Sequence, residues 1–469
     1  MKMIKQIISS VLVWGVSLTP MTVPLMVQPS WAQSQNSQLE KLKQLIEQAI
    51  KQGQQGQEAR QAIETWQQIL AIARQLKERI GEAKALHYIG VNYNRIFQPQ
   101  EALKYYNQAL PIVREVGDRG GEAATLNNIG GVYNSIGQPQ EALKYYNQAL
   151  PMTREVGNRR GEAVILSSIG KVYDDIGQPQ EALKYYNQAL PIRRQVGDRR
   201  GEATTLTNIG AAYNSISQPQ EALKYYNQAL PIWLEVGDRG GEAVTLSSIG
   251  QVYDSISQPQ EALKYYNQAL PISRQVGDRR GEATTLTNIG GVYDSIGQPQ
   301  EALKYYNQAL PIWLEVGDRR GEATTLTNIG GVYDSIGQPQ EALKYYNQAL
   351  PILGQVGNRR GEAVTLNNIG AAYYNIGQPQ EALKYYNQAL PIRRQVGDRR
   401  GEATTLTNIG AAYNSISQPQ EALKYYNQAL PILREVGDRA GEVTTLSNID
   451  AVNNRSQPPS RTNIPPIPQ

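Results

Sequence analysis

The chain has 469 residues with 46 basic and 42 acidic side chains, a formal net charge of +4. No long basic block accompanies this balance, so binding to nucleic acid has no electrostatic support. The absence of cysteine excludes disulfides, thiolate metal sites and thiol nucleophiles, and the single histidine, His87, argues against histidine catalysis or metal binding. We therefore expect no catalytic residues, no cofactor and no metal.

The N-terminus has the pattern of an export signal. Two lysines precede an apolar stretch at 7–18, and Ser30 and Ala32 place small residues where signal peptidase cleaves. An uncleaved membrane anchor is the alternative, and two prolines beyond the short apolar core argue against it. We expect a cleaved signal peptide at 1–32, a linker at 33–37, and an exported protein, periplasmic or extracellular, with no integral membrane segment after processing.

The next segment, 38–77, is interpreted as a degenerate first repeat. Apolar residues at helical spacing predict a helix over 38–54, and a second helix follows a polar break. In that second helix Trp66 occupies the place of Tyr106, forty residues later. Atypical end repeats are expected because the outermost helix of an array faces water on one side.

Two recurring phrases organise the rest of the chain. QPQEALKYYNQALP begins at residue 98 and returns unchanged every forty residues as far as 418. GEAxTLxxIGxxYxxI lies between its copies, as at 281–296. Both phrases have the apolar spacing of an amphipathic helix, and such a helix pair buries its apolar face only by stacking on its neighbours. The sequence therefore predicts an all-α solenoid with nine helix pairs over 78–437, each with a helix A followed by a helix B.

Capping residues indicate where these helices begin and end. Asp198 and Asp318 are predicted N-caps of helices A, each just after a glycine that ends the preceding helix B. Pro139 lies in the first turn of a helix B, where a missing N–H costs nothing. Pro151 lies inside the same helix, and we expect a kinked continuation to about Val156, with a true break as the alternative.

Six packing positions of each repeat carry a family resemblance: Leu126, Ile129, Gly130, Tyr133, Ala142 and Tyr146. They resemble the large-x-x-Leu-Gly-x-x-Tyr and Ala-x-x-x-Phe pattern of the tetratricopeptide repeat (TPR) family. The forty-residue period resembles the kinesin-light-chain and Pins-type subclass, here in a bacterial exported form. The resemblance implies a right-handed superhelix of antiparallel helix pairs whose concave groove is lined by helices A.

The C-terminal end departs from the repeat. Asp450 and Asn453 stand where other copies have glycine and tyrosine, so 438–455 is predicted to be a solvated capping helix. Residues 456–469 are proline-rich and are expected to be disordered, with a polyproline docking motif as the alternative.

Small polar residues occupy the predicted groove, and asparagine recurs there. Amides offer both donors and acceptors, which suits holding the backbone of an extended peptide, and the resemblance implies the same use. The alternative is a solvated groove whose asparagines satisfy one another. The candidate peptide-binding residues are Asn127, Asn128, Asn134, Asn208, Asn288, Asn328, Asn367, Asn368 and Asn408.

Differences between copies are few, and several of them concentrate after the internal proline of helix B. The clearest is at the second residue after that proline. Its occupants in chain order are Val113, Thr153, Arg193, Trp233, Ser273, Trp313, Leu353, Arg393 and Leu433. Trp233 and Trp313 are possible partner anchors because exposed tryptophan is a common hot spot. Packing at the repeat edge is the alternative.

Arginine pairs, as at 199/200, 279/280, 319/320 and 399/400, form a basic rim near the starts of helices A. They fit either an acidic partner or, alternatively, pairing with nearby glutamates.

Together these patterns predict a non-enzymatic scaffold that binds extended segments of an unidentified protein partner in the concave groove. The alternative function is structural: near-identical repeats could self-associate end to end.

Overall fold

The computed structural model describes residues 30–54 and 58–456, and helices are the only regular secondary structure within those ranges. There are 21 helices, of which α1 (Ser30–Gln54) and α2 (Ala59–Gln75) form the degenerate first pair. The predicted all-α repeat fold is confirmed.

Helices A are the odd-numbered helices from α3 onward. They are α3 (Arg79–Arg95), α5 (Arg119–Ser135), α7 (Arg159–Asp175), α9 (Arg199–Ser215), α11 (Arg239–Ser255), α13 (Arg279–Ser295), α15 (Arg319–Ser335), α17 (Arg359–Asn375), α19 (Arg399–Ser415) and α21 (Arg439–Ser456). Helices B are α4 (Pro99–Glu115), α6 (Pro139–Glu155), α8 (Pro179–Gln195), α10 (Pro219–Glu235), α12 (Pro259–Val276), α14 (Pro299–Glu315), α16 (Pro339–Gln355), α18 (Pro379–Gln395) and α20 (Pro419–Glu435).

These helices belong to two compact units, one ending at Gly237 and one beginning at Asp238. Within each unit a helix A packs on its own helix B and also contacts the next helix A. The core of a pair consists of the repeated apolar stripe: Leu126 and Ile129 of α5 are buried with Ala142 and Tyr146 of α6.

The helix ends follow the capping predictions. Gly197 has a positive φ of 65° after α8, a conformation that glycine adopts without steric cost. The carboxylate of Asp198 then accepts a hydrogen bond from the backbone N–H of Gly201 at 3.1 Å, which caps α9. Asp318 caps α15 in the same way, accepting from Gly321 at 3.0 Å.

The internal proline does not end helix B. Helix α6 continues through Pro151 to Glu155, and Val156 still donates its backbone N–H to Met152 at 3.1 Å. The predicted continuation is confirmed and the alternative of a break is wrong, while the kink stays a prediction. In other copies the apolar residue that follows the proline is buried, as Ile112 is in α4, and it packs this last turn against the core.

The N-terminal helix is longer than predicted. Helix α1 begins at Ser30, so the expected linker at 33–37 is helical, and the sequence 30–37 contains no proline or glycine to stop a helix. The remainder of the predicted signal, 1–29, and the tail at 457–469 lie outside the described residues. At the other end α21 exposes both Asp450 and Asn453, the two polar replacements of its sequence.

Candidate peptide-binding face on helices A

Each helix A turns one side away from its helix B. In α5 the residues Leu126 and Ile129 are fully buried, whereas Ala124 is exposed and Asn127 and Asn128 are half-buried. We call the surface that these outward positions of the A helices form within each unit the helix-A face. Eight of the nine predicted asparagines, Asn367 being the exception, are half-buried on it.

Glycine sets how closely the two helices of a pair approach. A β-carbon added at Gly130 would lie 2.8 Å from Cε1 of Tyr146, so only glycine admits the tyrosine ring at this distance. One turn later Tyr133 stacks on Tyr145 with ring centroids 5.4 Å apart. The helix-A face is thus carried on a tightly packed support.

Four of the recurring asparagines interact with a tyrosine hydroxyl of the preceding helix B. Burial raises the pKa of Tyr106, and a hydrogen bond from the Asn128 side chain opposes that rise. Equivalent contacts join Asn288 to Tyr266, Asn328 to Tyr306 and Asn368 to Tyr346. Sequence reasoning missed this support, although its signal was present in the tyrosine and asparagine that recur together in adjacent phrases.

Further hydrogen bonds link asparagines on the helix-A face. Asn127 donates Nδ2 to Oδ1 of Asn128 at 3.2 Å, and Asn134 donates to Asp175 at 3.3 Å. Asn208 and Asn408 occupy the same half-buried position as Asn128.

Asn367 requires a correction, because it is only 8% exposed. Its Oδ1 accepts from Thr405 Oγ1 at 3.2 Å and from Asn408 Nδ2 at 3.3 Å. The side chain therefore joins α17 to α19 and is not accessible to a peptide.

Consecutive A helices are also joined by hydroxyl contacts. Thr287 of α13 lies 3.3 Å from Thr325 of α15, and Thr327 lies 3.1 Å from Thr365 of α17, measured between Oγ1 atoms. Each of these contacts spans the interface between two consecutive A helices. Polar as well as apolar groups therefore hold neighbouring repeats in register.

His87 takes the same place in the first full repeat. Its Nδ1 lies 3.0 Å from Thr125 Oγ1, and its Nε2 lies 3.2 Å from Asn128 Nδ2. Since Thr125 donates its own proton to the Gly121 carbonyl at 2.8 Å, Nδ1–H is the donor and Nε2 the acceptor, which requires the neutral ring. Burial lowers the pKa of His87 to about 4, in agreement with that assignment.

The arginine rim is engaged in ion pairs with glutamates. Arg199 donates to Glu202 and to Glu235, both at 2.5 Å, and Glu202 also accepts from Arg194 at 2.8 Å. Glu202 is buried, so the two arginines compensate a desolvated carboxylate. The alternative of structural pairing is confirmed for the first arginine of each predicted pair.

The two predicted tryptophan anchors are also corrected, because each is only 6% exposed. Trp233 donates its indole N–H to Thr207 at 3.3 Å, and Trp313 donates to Thr287 at 3.2 Å. The premise of exposed rings is wrong. The packing alternative describes both residues, and the indole of Trp313 fills a space between α13 and α15.

Two other copies of this position leave the space open. Beside Thr153 a cavity of 280 Å³ lies between α5 and α7, and beside Ser273 a cavity of 350 Å³ lies between α11 and α13. Both open on the helix-A face. Sequence reasoning missed them, although small residues at a position otherwise occupied by larger ones were the available signal.

The described ranges, 30–54 and 58–456, contain neither a metal-binding cluster nor a membrane-spanning helix. No three His, Asp or Glu side chains there lie close enough to hold a metal ion. None of the helices in these ranges has the length and apolar character needed to cross a membrane.

The fold and this face define the chain as a helical repeat protein with an amide-lined surface. The sequence profile of the tetratricopeptide repeat family matches residues 54–115, 121–195, 201–275, 257–315, 281–355 and 361–435. The chain therefore belongs to the tetratricopeptide repeat family. The forty-residue subclass stays a prediction.

Solved structures share the fold at low sequence identity. The apo quorum sensor NprR from B. thuringiensis is 16% identical with a TM-score of 0.57, covering 77% of this chain and 99% of that one. A Rap protein complexed with Competence and Sporulation Factor is 15% identical with a TM-score of 0.53, covering 76% and 99%. A signal transduction ATPase with a tetratricopeptide repeat sensor, from Pyrococcus horikoshii, is 16% identical with a TM-score of 0.54, covering 73% and 55%. Comparison with curated proteins finds no match.

Proposed function

We propose that this protein is an exported, non-enzymatic scaffold that holds extended segments of partner proteins on its helix-A face. The observation that carries the proposal is the recurrence of half-buried asparagine amides at one position of six A helices, α5, α9, α13, α15, α17 and α19. Membership of the tetratricopeptide repeat family supports it. The similarity in fold to a Rap protein that forms a complex with Competence and Sporulation Factor adds support of a weaker kind.

The proposed mechanism is recognition of the peptide backbone. An extended segment presents an N–H and a C=O at each residue, and a side-chain amide can donate to one and accept from the other. Asn128 is already held by hydrogen bonds to Asn127 and His87, and Asn288 and Asn328 each interact with a tyrosine hydroxyl. Side chains fixed before binding lose less conformational entropy when the segment arrives, which favours affinity.

The test is affinity capture from the native exported fraction with three full-chain baits. The first bait is unaltered. The second carries alanine at Asn128, Asn208, Asn288, Asn328, Asn368 and Asn408. The third is a matched control with alanine at six exposed helix-B asparagines, namely Asn147, Asn227, Asn307, Asn347, Asn387 and Asn427.

We expect a partner that the unaltered and control baits retain and that the helix-A variant loses. Circular dichroism must show equal helix content in all three, because the helix-A substitutions also remove contacts to tyrosine. A partner retained equally by all three baits would contradict binding on this face. Recovery of the chain itself alone would favour the alternative function, self-association.

Export is the second part of the proposal and has its own test. N-terminal sequencing of the protein from its native source is expected to begin at Gln33, after removal of 1–32. An intact start at Met1 in the exported fraction, or recovery only from the cell interior, would contradict cleavage and export respectively.

A further inference from the structure

The second residue after the internal proline of helix B, which we call the plug position, decides whether the space between two A helices is filled. Trp313 fills it in one repeat. Its ring lies against Gly321 of α15, where an added β-carbon would come within 2.5 Å of Cδ2, and its N–H donates to Thr287 of α13 at 3.2 Å. The indole therefore bridges two consecutive A helices.

At Thr153 the plug is too short to reach across. Its hydroxyl turns back to donate to the Ala149 carbonyl at 2.7 Å, and the cavity of 280 Å³ remains between α5 and α7. Asn127 lines this cavity at the repeat position of Thr287, the acceptor for Trp313. Oδ1 of Asn127 is shielded from solvent and has no hydrogen-bond partner, which is costly for a buried acceptor.

The cavity beside Ser273 repeats the arrangement in the other unit. Ser247 lines it at the same repeat position and places a hydroxyl where Thr287 accepts from Trp313. Gly281 borders this cavity where Gly321 meets the indole. Two independent repeats thus combine an open space, a bordering glycine and a polar side chain at the acceptor position.

We propose that the cavities beside Thr153 and Ser273 are sockets for a tryptophan side chain of the bound partner segment. The incoming indole takes the place that Trp313 takes in its own repeat and donates its N–H to Asn127 or Ser247. The inference rests on the proposed function, because the sockets open on the same helix-A face, and it adds the class of side chain that the segment must carry.

Other side chains that occupy the plug position fit the Thr153 socket less well. Leu353 fills its repeat without a polar atom and would leave Asn127 without a donor. Arg193 fills its repeat by pairing with the N-cap carboxylate of Asp198, but the N-cap at the Thr153 socket is Asn158, which carries no charge. An indole supplies both the apolar ring and the single donor.

The test uses 5-fluoroindole as the probe and follows its ¹⁹F NMR line width, which the native tryptophans do not contribute to. The full chain is compared with the double variant Thr153→Trp, Ser273→Trp, which plugs both sockets. Tryptophan already occupies the plug position at 233 and 313, so the repeat can accommodate its side chain there. Thr153→Ser is the matched control, since serine is the natural plug at 273.

We expect the wild-type chain and the Thr153→Ser control to broaden the probe signal. The double variant should lose the broadening, with affinity reduced at least about tenfold. Adding Trp313→Ser to the double variant should restore it by opening a new socket, which separates plugging from misfolding. Broadening that plugging leaves unchanged would overturn the proposal, as would no broadening by the wild-type chain up to the solubility limit of the probe.

The same probe separates failure of the sockets from failure of the proposed function. It has no peptide backbone, so alanine at Asn328, Asn368 and Asn408, which line neither socket, should leave its binding unchanged. If the probe binds but no partner is captured, the sockets do bind an indole and the proposed function is contradicted. If a partner is captured but the probe does not bind, the proposed function is supported and the sockets are contradicted.

Discussion

Ser273 and Trp313 follow the same repeated phrase and the same isoleucine, on α12 and α14 respectively. Beside Ser273 the two adjacent A helices enclose a cavity of 350 Å³, whereas beside Trp313 an indole fills the corresponding space and hydrogen-bonds to Thr287. The two helices B are identical from their first residue up to this position. The difference shows how a repeat array varies its surface: the frame is fixed by the residues that all copies share, and one variable side chain opens or closes a site.

The largest expected effect comes from removing the plug of a filled repeat. Trp313→Ala should lower the local stability of α13, α14 and α15 by about 3–5 kcal/mol, because it removes a buried indole and leaves a cavity. Ser273→Ala should cost less than about 1 kcal/mol, because its cavity already exists. Hydrogen exchange of the backbone amides measures both. Equal losses for the two variants would contradict the distinction between open and filled repeats.

The next effect tests the frame that the two kinds of repeat share. Gly130→Ala, in an open repeat, and Gly290→Ala, in a filled one, each drive a methyl group into a tyrosine ring at 2.8 and 2.7 Å respectively. Each should cost about 1–3 kcal/mol through overpacking. Exchange protection should fall equally around both sites. If protection is lost only in the filled repeat, the effect of the glycine substitution depends on the residue at the plug position.

In the first full repeat His87 occupies the position at which Thr287 accepts the hydrogen bond from Trp313. This histidine should make the stability of that repeat depend on pH. The pKa of His87 is lowered by burial to about 4, so between pH 6.5 and 4 the unfolded state binds a proton that the folded state does not. Stability therefore falls as pH falls through this window, by roughly 1 kcal/mol between pH 6.5 and 5.5.

Exchange protection of α3 to α5 at the two pH values measures this loss. His87→Asn, which introduces the residue found at 127, should remove the dependence over this range. A dependence that persists in the variant would assign it to another group.

The smallest expected effect concerns the residue after the plug. In open repeats Arg154 and Arg274 each donate to a buried glutamate at 2.7 and 2.8 Å, but Leu314 stands there in the filled repeat and is 55% exposed. Leu314→Arg should add an ion pair to Glu322 and stabilise α15 by about 0.5–1 kcal/mol. Addition of salt should reduce the gain. A gain that salt does not change would have another origin.

The repeat fold could be predicted from the sequence because its determinants are local and repeated. The apolar spacing, the capping aspartates and the glycine opposite Tyr146 each define one helix or one helix pair. The burial of Trp313 could not be predicted in this way, because it depends on the separation between α13 and α15. The tyrosine support of Asn128 likewise joins residues of adjacent repeats, which spacing within one phrase does not reveal.

Site-specific photo-crosslinking tests the central claim, that the helix-A face is the working surface, most directly. A photoreactive residue would replace exposed Ala124 and Thr284 on helices A and, as matched controls, exposed Lys144 and Lys304 on helices B. Irradiation in the native exported fraction, followed by mass spectrometry, would identify what each position contacts. The account predicts crosslinks to segments of one partner from 124 and 284 and none from 144 and 304. Crosslinks to a partner from the helix-B positions alone would contradict it.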